Sequence, residues 1–222
     1  MASKNLSGEI YNTLTTRINT WVYPPGHRLT EEDLSAEFQV SRSPVREALN
    51  MLVEASLIEK EERKGYRVRK MSLKEINDLY DTRKILEQAV IDRVCVNVID
   101  PEILDDLERR WKNILKSLPA MASEAALEDE KFHETLAQVA GNRVIQRILK
   151  DIDLQIHFVR LSDITDPDRL KKTCEDHLAI LDALRQRDRE RAKKIIRDNI
   201  EWGREKVAAA LKDALARAHG IF

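Results

Sequence analysis

The run Val40-Ser41-Arg42-Ser43-Pro44-Val45-Arg46-Glu47-Ala48-Leu49 decides how the first third of this chain folds. On a helical wheel, Val45, Ala48 and Leu49 share one arc with Leu52 and Val53, while Arg42, Ser43, Arg46 and Asn50 occupy the opposite one. Either Ser41 or Ser43 caps this helix. Pro44 is tolerated in its first turn because the missing amide proton has no helical partner there. Two arginines one turn apart on the exposed start of a helix can reach a major groove, where bidentate contact to guanine is the commonest specific readout. The same pair suits a helix that merely faces solvent, so the flanking sequence has to choose.

Upstream, Thr30 is placed to cap a short helix whose first turn holds Glu31, Glu32 and Asp33 and whose apolar side holds Leu34 and Phe38. A short helix, a tight turn and a polar-faced second helix make a helix-turn-helix. Before it, Ile10, Leu14, Ile18 and Trp21 repeat at helical spacing, which predicts a helix from Leu6 to Trp21 capped by Ser7 and stopped by Tyr23-Pro24-Pro25-Gly26. Downstream, Leu57-Ile58-Glu59-Lys60 and Tyr66-Arg67-Val68-Arg69 read as two strands around a turn carrying Arg63, Lys64 and Gly65. The cations of that turn are placed to touch phosphates. A helix-turn-helix followed by a basic hairpin is a winged helix.

From Leu6 to Val68 the chain resembles the DNA-binding domain of GntR-type bacterial transcription regulators. The resemblance rests on Pro25-Gly26, Leu29, Leu34-Ser35, Val40-Ser41-Arg42, Pro44-Val45-Arg46-Glu47-Ala48-Leu49, Leu52, Leu57 and Gly65. It implies that Ser41, Arg42, Ser43 and Arg46 contact the operator while the wing around Lys64 and Gly65 enters the minor groove. Ala55-Ser56 stands where the family often has Glu-Gly, a departure that bears on the turn before the wing.

The expected domains are residues 1–70, the winged helix, and 71–222, an all-α antiparallel bundle of six amphipathic helices. The fold class is therefore mainly α with one small β-hairpin. Ser72-Leu73-Lys74-Glu75 opens the first bundle helix, whose apolar face holds Leu79, Leu86, Val90 and Val94 and which runs to about Asn97. The second starts at Asp100-Pro101 and is ended by Pro119. The third runs from about Ser123 to Ala140, and the fourth carries Ile145, Ile152, Ile156 and Val159. Asp166-Pro167 opens the fifth, and Asp188 opens the last, which extends past Val207.

Polar side chains interrupt these apolar arcs. Asp129 and His133 lie with Leu136 and Ala140, His177 with Cys174 and Leu181, and Asn199 with Ile196 and Ile200. Burying them unpaired costs roughly 1–3 kcal/mol each, and a metal ion held by a carboxylate and imidazoles would satisfy them together. Arg83 also falls inward, paired either with a carboxylate such as Glu87 or with the carboxylate of a bound ligand. From about Ile76 to Trp202 the chain resembles the FCD effector-binding domain of the FadR-like branch, through Asp129-Glu130-Lys131-Phe132-His133, Ala140-Gly141-Asn142 and Glu175-Asp176-His177. In metal-binding members the ligands correspond to Asp129, His133, His177 and a third histidine, whose place is taken here by Asn199. A harder amide oxygen lowers affinity for zinc or nickel and favours manganese, magnesium or an empty site.

Composition sets the limits. A net charge of -1 excludes bulk attraction to nucleic acid, so any contact is local. Two cysteines, Cys95 and Cys174, give no disulfide framework, and no membrane-spanning run or signal core is present, which fits a cytoplasmic protein. The resulting expectation is a homodimeric, ligand-responsive repressor that binds double-stranded operator DNA. Its bundle takes a small organic acid through a divalent metal (zinc, nickel or manganese) and an interior cation such as Arg83. The alternatives are a ligand-independent DNA-binding protein and a metal-dependent enzyme on the bundle. No ligand set is paired with an evident general base, which speaks against the enzyme.

Overall fold

The computed structural model describes residues 2–62, 64–164, 167–209 and 211–212. Residues 2–72 belong to one compact unit and 73–209 to another. The first is built from α1 (Ala2–Asn19), β1 (Arg28–Leu29), α2 (Glu31–Phe38), α3 (Arg42–Glu54), β2 (Ile58–Glu61) and β3 (Gly65–Val68). Its core forms where α1 packs on α3, burying Ile10, Leu14 and Ile18 with Val45, Ala48, Leu49 and Leu52. The Thr30 hydroxyl accepts from the amide of Asp33 and so caps α2 as the sequence predicts. Ser41 occupies the cap position of α3 without a side-chain bond, and Pro44 is buried in the first turn.

Three local expectations need correction. Ser7 is buried inside α1 rather than capping it, because Ala2 to Leu6 continue the helix, and α1 ends at Asn19, before the prolines. The first hairpin strand sits one residue later than the alternation suggests and the second one residue earlier, with Glu61 opposite Gly65 and Ile58 opposite Val68. Periodicity also misses β1, which is only two residues long yet completes an antiparallel sheet of order β1-β3-β2. Gly65 opens β3 at φ +90°, and a Cβ there would stand 2.8 Å from the carbonyl oxygen of Leu29, so the third strand requires glycine.

The second unit contains α4 (Leu73–Val96), α5 (Pro101–Lys116), α6 (Leu118–Val139), α7 (Arg143–Ile164), α8 (Pro167–Arg185) and α9 (Arg189–Glu205). Asp100 and Asp188 cap α5 and α9 through their carboxylates. Pro119 does not end α5. It lies in the first turn of α6, where proline sacrifices no hydrogen bond, and α6 therefore begins five residues before Ser123. The α9 helix ends at Glu205, short of Val207, and 207–209 are helical again after a turn. Asp166, expected at the start of the fifth bundle helix, lies outside the described residues.

Around the bundle's centre, α4 packs on α6, α7 and α9, and α8 packs on α5, α6, α7 and α9. Leu79 and Leu86 are only half-buried. The inward face of α4 runs instead through Ile76, Tyr80, Arg83, Glu87, Val90 and Val94. Burial thus follows a partly charged stripe, which an apolar-periodicity rule displaces by one position. No helix among the described residues is long and apolar enough to cross a membrane.

Candidate functional site

Two sets of side chains carry chemistry. On α3, Ser41, Arg42, Ser43, Arg46 and Asn50 all face solvent, as their arc predicts. Both arginines meet acids from the first turn of α2. Arg46 donates from Nε and Nη2 to the two oxygens of Glu31 at 2.8 and 2.7 Å, and Arg42 lies 3.5 Å from Glu32. Lys64 is exposed beside Gly65 at the hairpin tip, and its carbonyl accepts from Arg28. Arg63 lies outside the described residues. Arg67, by contrast, is held by Glu61 and the carbonyl of Gly26.

The second set lies in the bundle. Asp129, His133 and His177 are all buried, and each offers a ligand atom within 4.8 Å of the others. Asp129 Oδ1 is 3.4 Å from His177 Nε2 and 3.8 Å from His133 Nε2. These separations are close to the edge of a coordination tetrahedron, about 3.4 Å for metal bonds near 2.1 Å. The other carboxylate oxygen accepts from Arg160 at 2.5 Å, which leaves Oδ1 for the centre. Burial alone would raise Asp129's pKa, but Arg160, His133, His177 and Arg83 outweigh it and hold the carboxyl far below its usual range.

His177 is clamped by rings rather than by hydrogen bonds. It stacks on Phe132 at 3.9 Å and meets Trp111 edge-on at 4.2 Å, with both ring nitrogens buried and without a hydrogen-bond partner among the described residues. Burial drives its pKa well below that of a free imidazole, so it stands neutral, the form a metal ligand needs. His133 Nδ1 lies 2.8 Å from Glu87, which is fully buried. Asn199 is buried as predicted, and its Nδ2 donates to Asp176 at 3.1 Å, so only its oxygen remains to offer a cation.

Arg83 is buried, 3.3 Å from Asp153 and 3.5 Å from Glu87, which realises the carboxylate-partner option. Asp153 also accepts from Arg160 at 2.5 Å. A small cavity of about 20 Å³ is lined by Arg83, Arg160, Arg169, Asp129 and Asn199 together with Tyr80 and Ile200. Its charged lining is three guanidiniums against one carboxylate. Arg160, Asp153 and Arg169 were not singled out in the sequence. Asp153 and Arg160 flank Ile156 at i−3 and i+4, so the helical phase that identified Asp129 would have identified them.

Residues 6–68 match the profile "Bacterial regulatory proteins, gntR family", and residues 78–201 match the FCD domain. The chain belongs to the GntR family. A gluconate operon transcriptional repressor of Bacillus subtilis (strain 168) is 35% identical over 171 residues, covering 76% of this chain and 68% of that protein. HTH-type transcriptional regulator YdhC of the same strain is 29% identical over 187 residues, 83% of each chain. The solved structure of E. coli McbR/YncC superposes with a TM-score of 0.72 at 18% identity, covering 94% of this chain and 98% of that one, a likeness of fold. As a GntR-family chain with an FCD domain, this protein is a DNA-binding transcription regulator and not an enzyme.

Proposed function

We propose that this GntR-family regulator is a cytoplasmic homodimeric repressor whose operator affinity is set by a metal and a small organic acid in the bundle. Residues 1–70 form the reading head in this account, with Ser41, Arg42, Ser43, Arg46 and Asn50 on the major groove and Arg63, Lys64 and Gly65 on the backbone and minor groove. Residues 71–222 bind the ligand and the second copy. Two-fold symmetry of the protein would be mirrored in an operator of two half-sites.

The observation that carries the ligand half is the buried meeting of Asp129, His133 and His177, with His177 neutral and both its nitrogens unspent. A divalent ion held there by Asp129 Oδ1 and the two imidazoles, with the oxygen of Asn199 as a weak fourth donor, would resolve that debt. The donor set is borderline to hard, which suits manganese as well as zinc or nickel. Such an ion would supply a positive centre for a carboxylate. The chain's own part is to surround that carboxylate with Arg83, Arg160 and Arg169.

The cavity of about 20 Å³ has room for an ion or a water as it stands. In this reading an acid parts the helices that line it, α4, α6, α7, α8 and α9, and that cost would couple the ligand to a second arrangement of the bundle. Metal content tests the reading at its root. Protein purified without chelator and analysed by mass spectrometry should carry near-stoichiometric divalent metal, and His177→Ala should not. Equal content in the two proteins would remove His177 from the ligand set.

A further inference from the structure

Arg46 is already engaged before DNA arrives. Its two bonds to Glu31 form a parallel fork joining the first residue of α2 to the first turns of α3. A guanidinium carries two such forks, one from Nε and an Nη and one from the two Nη ends. Glu31 takes the first. The end fork, which has the spacing that matches O6 and N7 of guanine, stays available. The Arg46 side chain remains 59% exposed while Glu31 is 23% exposed, so the carboxylate is the covered partner and the cation the presented one. The neighbouring pair is different in kind. Glu32 reaches Arg42 at 3.5 Å by a single contact and is itself 81% exposed, which orients nothing.

We propose that Glu31 is a specificity-determining positioning residue, holding Arg46 with its end fork directed outward so that the arginine meets guanine already oriented. The inference rests on reading α3 as the recognition helix. An unclamped arginine loses its rotamer freedom when it docks on a base, whereas a clamped one has lost it in advance. The same carboxylate brings negative charge toward the phosphates and weakens binding to every sequence alike. Glu31 therefore trades affinity for discrimination. Its anionic form is secured chiefly by the hydrogen bonds from Arg46, which hold its pKa below the usual carboxylate range against the effect of burial.

The test uses full-length protein and a duplex library with a randomised core. Selection by the wild type defines a preferred duplex, and anisotropy then gives affinities for it and for unselected library duplex. Glu31→Gln should lower the preferred-to-unselected ratio about tenfold, mainly by strengthening binding to unselected duplex. It should change that ratio no further in an Arg46→Ala background. Glu31→Asp keeps the charge but shortens the reach, and it should lose the ratio as well. A ratio that is unchanged or raised in Glu31→Gln, as a simple mask over Arg46 or a plain helix-terminal charge would give, overturns the inference, whatever happens to thermal stability. If Arg46→Ala itself leaves the ratio intact, the recognition-helix assignment fails instead.

Discussion

At the scale of single residues, the bundle's centre is organised by two buried groups of opposite temper. His177 is pinned by Phe132 and Trp111 and asks for a partner. Arg160 has its partners, Asp129 and Asp153, and is held charged because their attraction outweighs burial. Arg160→Ala takes the hydrogen-bonded cation from buried Asp129 and leaves Asp153 to Arg83 alone, and it should cost about 3–5 kcal/mol in denaturant unfolding, with part of the loss recovered on adding a divalent cation. On the DNA side, Arg46→Ala should weaken binding to a selected operator by at least about tenfold in anisotropy titrations while its sedimentation matches that of the wild type. Helical phase alone brought Asp129, His133, His177, Asn199 and Arg83 inward, and all five are buried. The same phase covers Arg160 and Asp153, which flank Ile156, but a reading of α7 by its apolar positions alone leaves them out. Arg160 pairs with Asp153 along α7 and with Asp129 across to α6.

Helix ends matter most at the scale of elements. The α3 helix closes with Ser56 in the left-handed region at φ 57°, its amide bonded to Val53 and that of Leu57 to Leu52. That backbone is natural for glycine and strained for serine. Ser56→Gly should therefore stabilise the head by about 1 kcal/mol, read as a rise in the thermal midpoint. Gly65→Ala should do the opposite, since a side chain there collides with the Leu29 carbonyl and pulls β1 from β3. Both helices of the helix-turn-helix, with Thr30 as a cap, were legible because caps and apolar arcs are local signals. The two-residue strand β1 was not, because its existence depends on pairing with β3 some forty residues away. Pro119 shows a third limit: a proline marks a helix boundary without saying on which side the helix lies.

At the scale of the whole molecule, only residues 69–72 join β3 to α4, so the reading head and the bundle are successive in the chain with almost no linker. The family was legible in the sequence, and residues 6–68 and 78–201 match the expected profiles. Coupling between the halves is a property of two states and leaves no pattern in a single sequence. Metal alone should act on stability. Manganese chloride at a hundred times its dissociation constant should add about 2.7 kcal/mol to unfolding, and a chelator should reverse this. The most direct test of ligand control is the affinity of metal-loaded protein for its selected duplex, titrated by anisotropy with and without a panel of small carboxylic acids. The account predicts that at least one acid shifts that affinity by about fivefold or more in the wild type and by nothing in His177→Ala. An affinity that stays constant in the wild type across every acid and each of manganese, zinc and nickel would contradict it.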